Sequence, residues 1–407
     1  MIAPLLPWVH AALIMVTLIG VAVGRYPVLR MNRATIALTG AVLLVVSGAI
    51  TLPQAFQSVD LNTIALLFAM MVINGNLRLA GFFRLVAVRA AGYAHSPRQL
   101  LAWVVVSSGV LSAVFLNDTI VLAFTPLVLE VVTILGLHPV PYLIALAVAA
   151  NIGSTATLIG NPQNMLIGVF SGLEFLPFAR ALAPVSLVGL AMAWLVVVLV
   201  FRRELAFRPL QVPNSIPVRI FRPLLIKSML ATLVLLLALV GGMPVPLAAL
   251  LAASLLLITR RIKPERVFLE IDWGLLVFFS GLFVVTKAVE TAGFGSQLLN
   301  ALTPLVEGGI LAFTLATALM SNLVSNVPAV LLFQPVITSH GNLANDWLTL
   351  AMASTLAGNL TLLGSVANLI VAETARIRGV TLSFAAYLRV GPLVTLLTLL
   401  WGVHYLG

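Results

Sequence analysis

Apolar runs of about 17 or more residues recur along the chain from Trp8 to the C-terminus, separated by short polar segments and without period-two alternation. A run of that length crosses a hydrocarbon layer of about 30 Å as an α-helix, whereas a membrane barrel would alternate. The pattern predicts continuous spans at about 8–24, 34–52, 61–78 and 181–201, then at 223–241, 244–260, 273–290 and 385–406. The first run has no basic flank before it and no small-residue cleavage site after it, so it reads as a retained span.

Two irregular regions interrupt each half of this series. One is a pair of apolar arms about a polar tip: Leu100 to Leu116 and Thr119 to Leu135 about Asn117-Asp118, and again about Ser325-Asn326. The other is a span broken near its middle, at Gly160 to Asn164 and at Gly364 to Asn368. If each pair of arms enters and leaves on one side as a re-entrant hairpin, and each broken span crosses fully, every Lys and Arg except Arg180 and Lys287 falls on one side. The positive-inside rule then puts that side in the cytoplasm and both termini outside.

The halves also match in sequence. "DLNTIALLFAMMVINGNLRLAGF" from Asp60 pairs with "DWGLLVFFSGLFVVTKAVETAGF" from Asp272, "NDTIVLAFTP" from Asn117 with "NVPAVLLFQP" from Asn326, and "TLIGNPQN" from Thr157 with "TLLGSVAN" from Thr361, at offsets of 212, 209 and 204. An odd number of crossings per half turns the second half over. The expected fold is therefore an all-α polytopic membrane protein of inverted-topology repeats, each with a re-entrant hairpin and a broken transmembrane helix, the plan of secondary transporters. Residues 1–201 form the first repeat, 202–222 a basic cytoplasmic linker and 223–407 the second repeat.

Composition agrees and narrows the chemistry. Charged residues make up 8% of the 407 positions, hydrophobic residues 61%, and the mean hydropathy is +1.15. A net charge of +10 would suggest nucleic acid in a soluble protein, but here the cations sit in short segments between spans and report topology instead. With no cysteine there is no disulfide and no thiolate ligand or redox couple. The five histidines lie near span ends or in loops, there is no zinc-protease motif, and no Gly-rich phosphate loop carries a Lys. An intramembrane enzyme and an ATP-driven pump within this chain are thereby disfavoured, and no cofactor or metal is expected. A passive channel could share the architecture; uphill transport of one solute on the gradient of another separates the two.

The breaks carry the candidate chemistry. A helix broken within lipid leaves N–H and C=O groups that protein, water or a ligand must satisfy. Pro162 lacks a donor, Gly160 permits unusual dihedrals, and Asn161, Gln163 and Asn164 offer amides, with Ser365 and Asn368 a lesser set opposite. Half-helix N-termini add positive partial charge, so a small anion or hydroxyl-rich neutral solute can be held without Arg or Lys. An aqueous loop at Gly160 to Asn164 is the alternative, and it leaves the matching interruption at Gly364 unexplained. Asp118 is the most pointed residue, because an intramembrane carboxyl is costly unless protonated, paired or ion-bound. Proton coupling is the favoured role, ahead of a sodium ligand and of a cap on the second arm. Asp60 and Asp272 read as helix caps, Glu130 as reaching the cytoplasmic interface, Glu373 as an exposed partner of Arg376, and Asn74 and Asn76 as packing or kink residues.

"FLNDTIVLAFTP", Phe115 to Pro126, resembles the hairpin of bacterial arsenite/antimonite permeases, and "SNVPAVLL" with "LLGSVANLIVAE" resembles their second-half counterparts. The wider ion-transporter superfamily includes divalent anion/sodium symporters and a sodium/proton antiporter branch. The resemblance covers essentially the whole chain. It implies that Asn117, Asp118, Thr119, Gly160, Asn161, Pro162, Gln163, Asn164, Ser325, Asn326, Gly364, Ser365 and Asn368 line a substrate site, and that hairpins and broken helices move against a scaffold. The sodium symporters carry Ser-Asn-Thr at both tips where this chain has Asn-Asp-Thr and Ser-Asn-Val, and its GNPQN differs from the loop of the best-known arsenite permeases. The function expected is export of arsenite or antimonite, a small inorganic solute, in exchange for protons across a bacterial or archaeal cytoplasmic membrane. Sodium-coupled dicarboxylate or anion symport and sodium/proton antiport are the alternatives. A second copy of the chain and a soluble ATPase subunit on the basic face are candidate protein partners, and nucleic acid is not.

Overall fold

A computed structural model describes residues 6–26, 30–210, 219–258, 262–293, 295–341 and 343–407. Residues 211–218 of the expected linker, with Arg260 and Arg261, lie outside the described residues. Apart from an antiparallel ribbon of Arg25–Tyr26 with Met31–Asn32, the regular structure described is helical. The first series runs α1 (Leu6–Val23), α2 (Arg33–Val46), α3 (Leu52–Ser58), α4 (Leu61–Ala80), α5 (Phe82–Gly92), α6 (Pro97–Val114), α7 (Asn117–Ile134), α8 (Val140–Ser154), α9 (Pro162–Ser171) and α10 (Phe175–Val200). The second runs α11 (Arg222–Val240), α12 (Val245–Leu257), α13 (Pro264–Phe268), α14 (Trp273–Thr291), α15 (Gly295–Glu307), α16 (Gly309–Val324), α17 (Asn326–Ser339), α18 (Ala344–Ala357), α19 (Val366–Ile377), α20 (Phe384–Leu388) and α21 (Gly391–Leu406). Among the described residues, seven helices are long and apolar enough to cross a membrane.

Local chemistry sets the boundaries. Asp60 Oδ1 accepts from Thr63 N at 2.6 Å and Asp272 Oδ1 from Leu275 N at 3.0 Å, so both acids are N-caps, of α4 and α14. Gly81, left-handed at φ 80°, ends α4 and lets α5 leave at once. The span expected over 34–52 is shorter: α2 stops at Val46, and a Thr51–Gln54 capping box with Pro53 starts α3. The tips differ from expectation in register as well, since Asn117 and Asp118 already form the first turn of α7, leaving Phe115-Leu116 as the turn.

Cross-links at one end of the molecule define a basic face. Arg98 Nε donates to Leu205 O at 3.2 Å, Arg208 donates to Leu135 O at 3.0 Å and Gly136 O at 2.8 Å, and Arg389 lies 4.8 Å over the Phe201 ring. The outer ends of α6 and α7 therefore both sit at this face. Arg78 pairs with Glu270, and Arg84 holds Glu130 through two bonds of 3.1 Å, which gives Glu130 a specific partner. At the opposite end a crevice of about 780 Å³ gathers Gln54 and Asp60, the end of α9 at Phe170, the end of α14 at Lys287 and Glu290, and α17 at Gln334. The hairpins α6–α7 and α16–α17 thus open toward opposite ends, and α8–α9 runs the full distance between them.

The packing crosses between the two series: α2 lies on α14, α4 on α12, α7 on α19 and α9 on α17. At the centre is α8, buried at every residue from Pro141 to Ser154. Its fit to α6 depends on small residues, for a Cβ on Gly153 would land on the Gly109 carbonyl.

Candidate functional site

Both broken helices come apart over a few residues, 155–161 and 358–365, and each break is stapled by an asparagine from the half-helix that follows. Asn164 Nδ2 donates to Ser154 O at 3.2 Å and Thr157 O at 2.9 Å. Asn368 Nδ2 donates to Gly358 O at 2.8 Å and Thr361 O at 3.1 Å, the same carbonyls displaced by the 204-residue offset. These amides satisfy the carbonyls that the end of α8 or α18 leaves without helical partners. Asn161 caps α9 by accepting from Asn164 N at 2.8 Å, and Pro162 opens that helix as its first residue, where a donor is not needed. Gly160, expected to permit unusual dihedrals, does not adopt a left-handed one, and neither does Gly364. What they permit is close approach: a Cβ at Gly160 would sit 2.5 Å from Ser154 O and 2.7 Å from Ser112 O.

The hairpin tips dock onto the breaks. Asn117 N donates to Gly160 O at 3.0 Å, and Asn117 Nδ2 to Asn151 Oδ1 at 3.1 Å. In the other hairpin Ser321 Oγ donates to Asn326 Oδ1 at 2.6 Å and to Ser354 O at 3.0 Å. Ser325 forms the second tip at φ 79°, ψ 158°, a conformation normally left to glycine. Four helix N-termini, those of α7, α9, α17 and α19, consequently meet in one region and add positive partial charge.

Asn117, Asn161, Gln163, Asn164, Asn326, Ser365 and Asn368 are buried together in this network, with Gly160, Pro162 and Gly364 in its backbone. That burial rules out an ordinary aqueous loop at Gly160 to Asn164. Asp118 and Thr119 stand to one side, half-buried. The Asp118 amide donates to Asn117 Oδ1 at 2.9 Å, and the charged groups acting on its carboxylate are Asp272 and Arg33, at the starts of α14 and α2. Thr119 Oγ1 accepts from Asn74 Nδ2 at 3.4 Å. Asn74 thus bonds across to a neighbouring helix, while Asn76 donates to Val72 O of its own helix at 2.8 Å. Asn74 Oδ1, Ser112 Oγ and Asn322 Oδ1 are buried without a partner among the described residues. Among the described residues no Arg or Lys side chain hydrogen-bonds into the network.

Sequence reasoning missed Asn151, Thr355 and Asn359. Asn151 Nδ2 donates to Asn359 Oδ1 at 2.9 Å and to Asn368 Oδ1 at 3.1 Å. Thr355 Oγ1 accepts from Asn161 Nδ2 at 3.3 Å and from Gln163 Nε2 at 3.2 Å. The available signal was the offset of 204, which pairs Asn151 with Thr355 a few residues ahead of the quoted motif.

Opposed hairpins, paired broken helices and a buried polar network between them define a polytopic membrane transporter. Comparison with known proteins agrees. The chain belongs to the citrate transporter family, whose profile matches residues 11–357. It is 32% identical to the silicon efflux transporter LSI3 of Oryza sativa subsp. japonica, over 86% of each chain. It is 27% identical to the arsenical pump membrane protein of Escherichia coli strain K12, over 88% of this chain and 90% of that one. Among solved structures it resembles the Alcanivorax borkumensis YdaH transporter, with a TM-score of 0.58 at 14% identity, covering 98% of this chain and 97% of the other, a likeness of fold.

Proposed function

We propose that the chain exports arsenite or antimonite as the neutral hydroxide, in exchange for protons, across a bacterial or archaeal cytoplasmic membrane with both termini outside. The observation that carries this reading is the chemistry of the network: amides, hydroxyls and helix N-termini, with the Asp118 carboxyl beside them and, among the described residues, no Arg or Lys side chain hydrogen-bonded into it. A citrate-like polyanion brings charge that needs fuller compensation in a buried site, whereas a neutral trihydroxide both donates and accepts hydrogen bonds and needs none. This reading assigns Asn74 Oδ1, Ser112 Oγ and Asn322 Oδ1, buried without partners among the described residues, as acceptors for such hydroxyls. Two relatives, a silicon efflux transporter and an arsenical pump membrane protein, support an exported inorganic solute.

In this reading Asp118 carries the proton. Protonation and solute binding favour opposite orientations of the site, and their differential affinity couples the two fluxes. The test is arsenite accumulation in proteoliposomes under an imposed pH gradient. Wild type accumulates arsenite, and Asp118→Asn brings gradient-driven accumulation to the passive level while exchange of labelled for unlabelled arsenite continues. Unchanged accumulation by Asp118→Asn would remove the proton-carrier role, and accumulation that follows a sodium gradient would replace the coupling ion.

A further inference from the structure

We propose that Asn151 is a positioning residue that locks the tip of the α6–α7 hairpin and the α18–α19 break into one body, so that neither changes conformation without the other. Its carboxamide has two N–H donors and one oxygen with two lone pairs, and all four are used. The donors go to Asn359 Oδ1 and Asn368 Oδ1, and the oxygen accepts from Asn117 Nδ2 at 3.1 Å and from Ser365 Oγ at 3.0 Å. Three of those four partners lie in the second series and one at the tip of the first hairpin. Asn151 itself is 2% exposed, in the most enclosed helix of the molecule.

Thr355 holds the reciprocal place. At 1% exposure it accepts from Asn161 and Gln163 of the first break and donates to Asn164 Oδ1 at 3.4 Å. Each broken helix therefore reaches across to hold the other's break, but unequally: Asn151 does so with four bonds near 3 Å, Thr355 with three longer ones. A saturated amide at this depth of burial tolerates no inverted donor. Replacing its N–H₂ by a carboxylate oxygen would point acceptor at acceptor toward both Asn359 and Asn368. Asn151 has no group left for the solute, so its effect on transport must pass through Asn117, Ser365 and Asn368.

The proposal deepens the transport reading and rests on it for its kinetic arm, but not for its structural one. Hydrogen–deuterium exchange on the purified full-length protein needs no substrate. Asn151→Asp should accelerate amide exchange by about tenfold, the equivalent of about 1.4 kcal/mol, at both residues 115–120 and residues 358–368. Exchange in 358–368 that stays at the wild-type rate overturns the proposal, whatever the protein transports. In proteoliposomes the same variant should raise the arsenite KM by about tenfold and lower the maximal rate by less than about threefold; an equal fall in rate at unchanged KM overturns the positioning role. Should Asn151→Asp fail to insert, Ser365→Ala, which deletes one of the four bonds, should quicken exchange at 115–120 about twofold, and no change there overturns the proposal equally. Absence of arsenite transport by the wild type would instead defeat the functional reading and leave the exchange result standing.

Discussion

The two breaks share their staple and differ in nearly everything around it. In the first, every residue from Thr155 to Asn164 is buried, and the N-cap residue Asn161 turns its amide inward to Asn164 N, Ser154 and Thr355. In the second, Leu363 is 63% and Val366 40% exposed, and the N-cap position holds Ser365, whose hydroxyl leaves its own helix uncapped and reaches across to Asn151. The neighbouring tips differ in the same sense: the turn before Asn117 has ordinary dihedrals, whereas Ser325 is held in a left-handed one. One motif thus yields a sealed seat in one half and a looser, strained one in the other. The lesson is that a repeated sequence fixes the backbone event, while the neighbours decide what it costs to disturb it.

The sharpest test of this contrast removes the staples. Asn164→Leu leaves the Thr157 carbonyl unpaired inside a fully buried break, while Ser154 O keeps its bond from Asn161 Nδ2, at a cost of about 1–3 kcal/mol, and should reduce the yield of folded, monodisperse protein about tenfold. Asn368→Leu should cost about half as much free energy, read as the fall in thermal unfolding midpoint, because Thr361 O keeps its bond from Gly364 N at 3.0 Å and the break around it is half-exposed, open to water. Equal losses would break the comparison. A smaller effect of opposite sign is expected at the second tip: Ser325→Gly relieves the left-handed strain and should stabilise by about 1 kcal/mol, raising the unfolding midpoint by a few degrees. A drop would mean that the Ser325 side chain contributes contacts that outweigh the strain. The smallest effect lies at the far end of α19, where Arg376 pairs with Glu373 at 2.6 Å in full exposure. Glu373→Ala should leave both the unfolding midpoint and transport within error, marking the loosening as a property of the break itself.

Much of this was legible in the residues. The continuous spans, both hairpins and both breaks follow from runs of apolar positions and from Gly, Pro and Asn placed where lipid penalises them. Helices α5 and α15 were not foreseen, because segments such as Phe82–Gly92 mix apolar and charged residues over too short a stretch to read as spans. The site was read by its most conspicuous letters. Asn151 sits in the apolar run IALAVAANIG and Thr355 beside other small residues in LAMASTLAG, where one small polar residue resembles any packing residue, and only the folded structure shows that their hydrogen bonds run to the other half. The caps Asp60 and Asp272, by contrast, stand at the start of an apolar run, so their local role needed no tertiary information.

The crossed packing of α2 on α14 and of α4 on α12 has a consequence for biogenesis. The ribosome delivers α2 and α4 roughly two hundred residues before their partners exist. Until then, surfaces destined for the interior, such as the Ala37 face that receives Gly281, must be sheltered by lipid or by the insertion machinery. Assembly of the support is therefore a late event in translation, and a truncated nascent chain ending before α12 would hold its helices in the bilayer without a finished bundle.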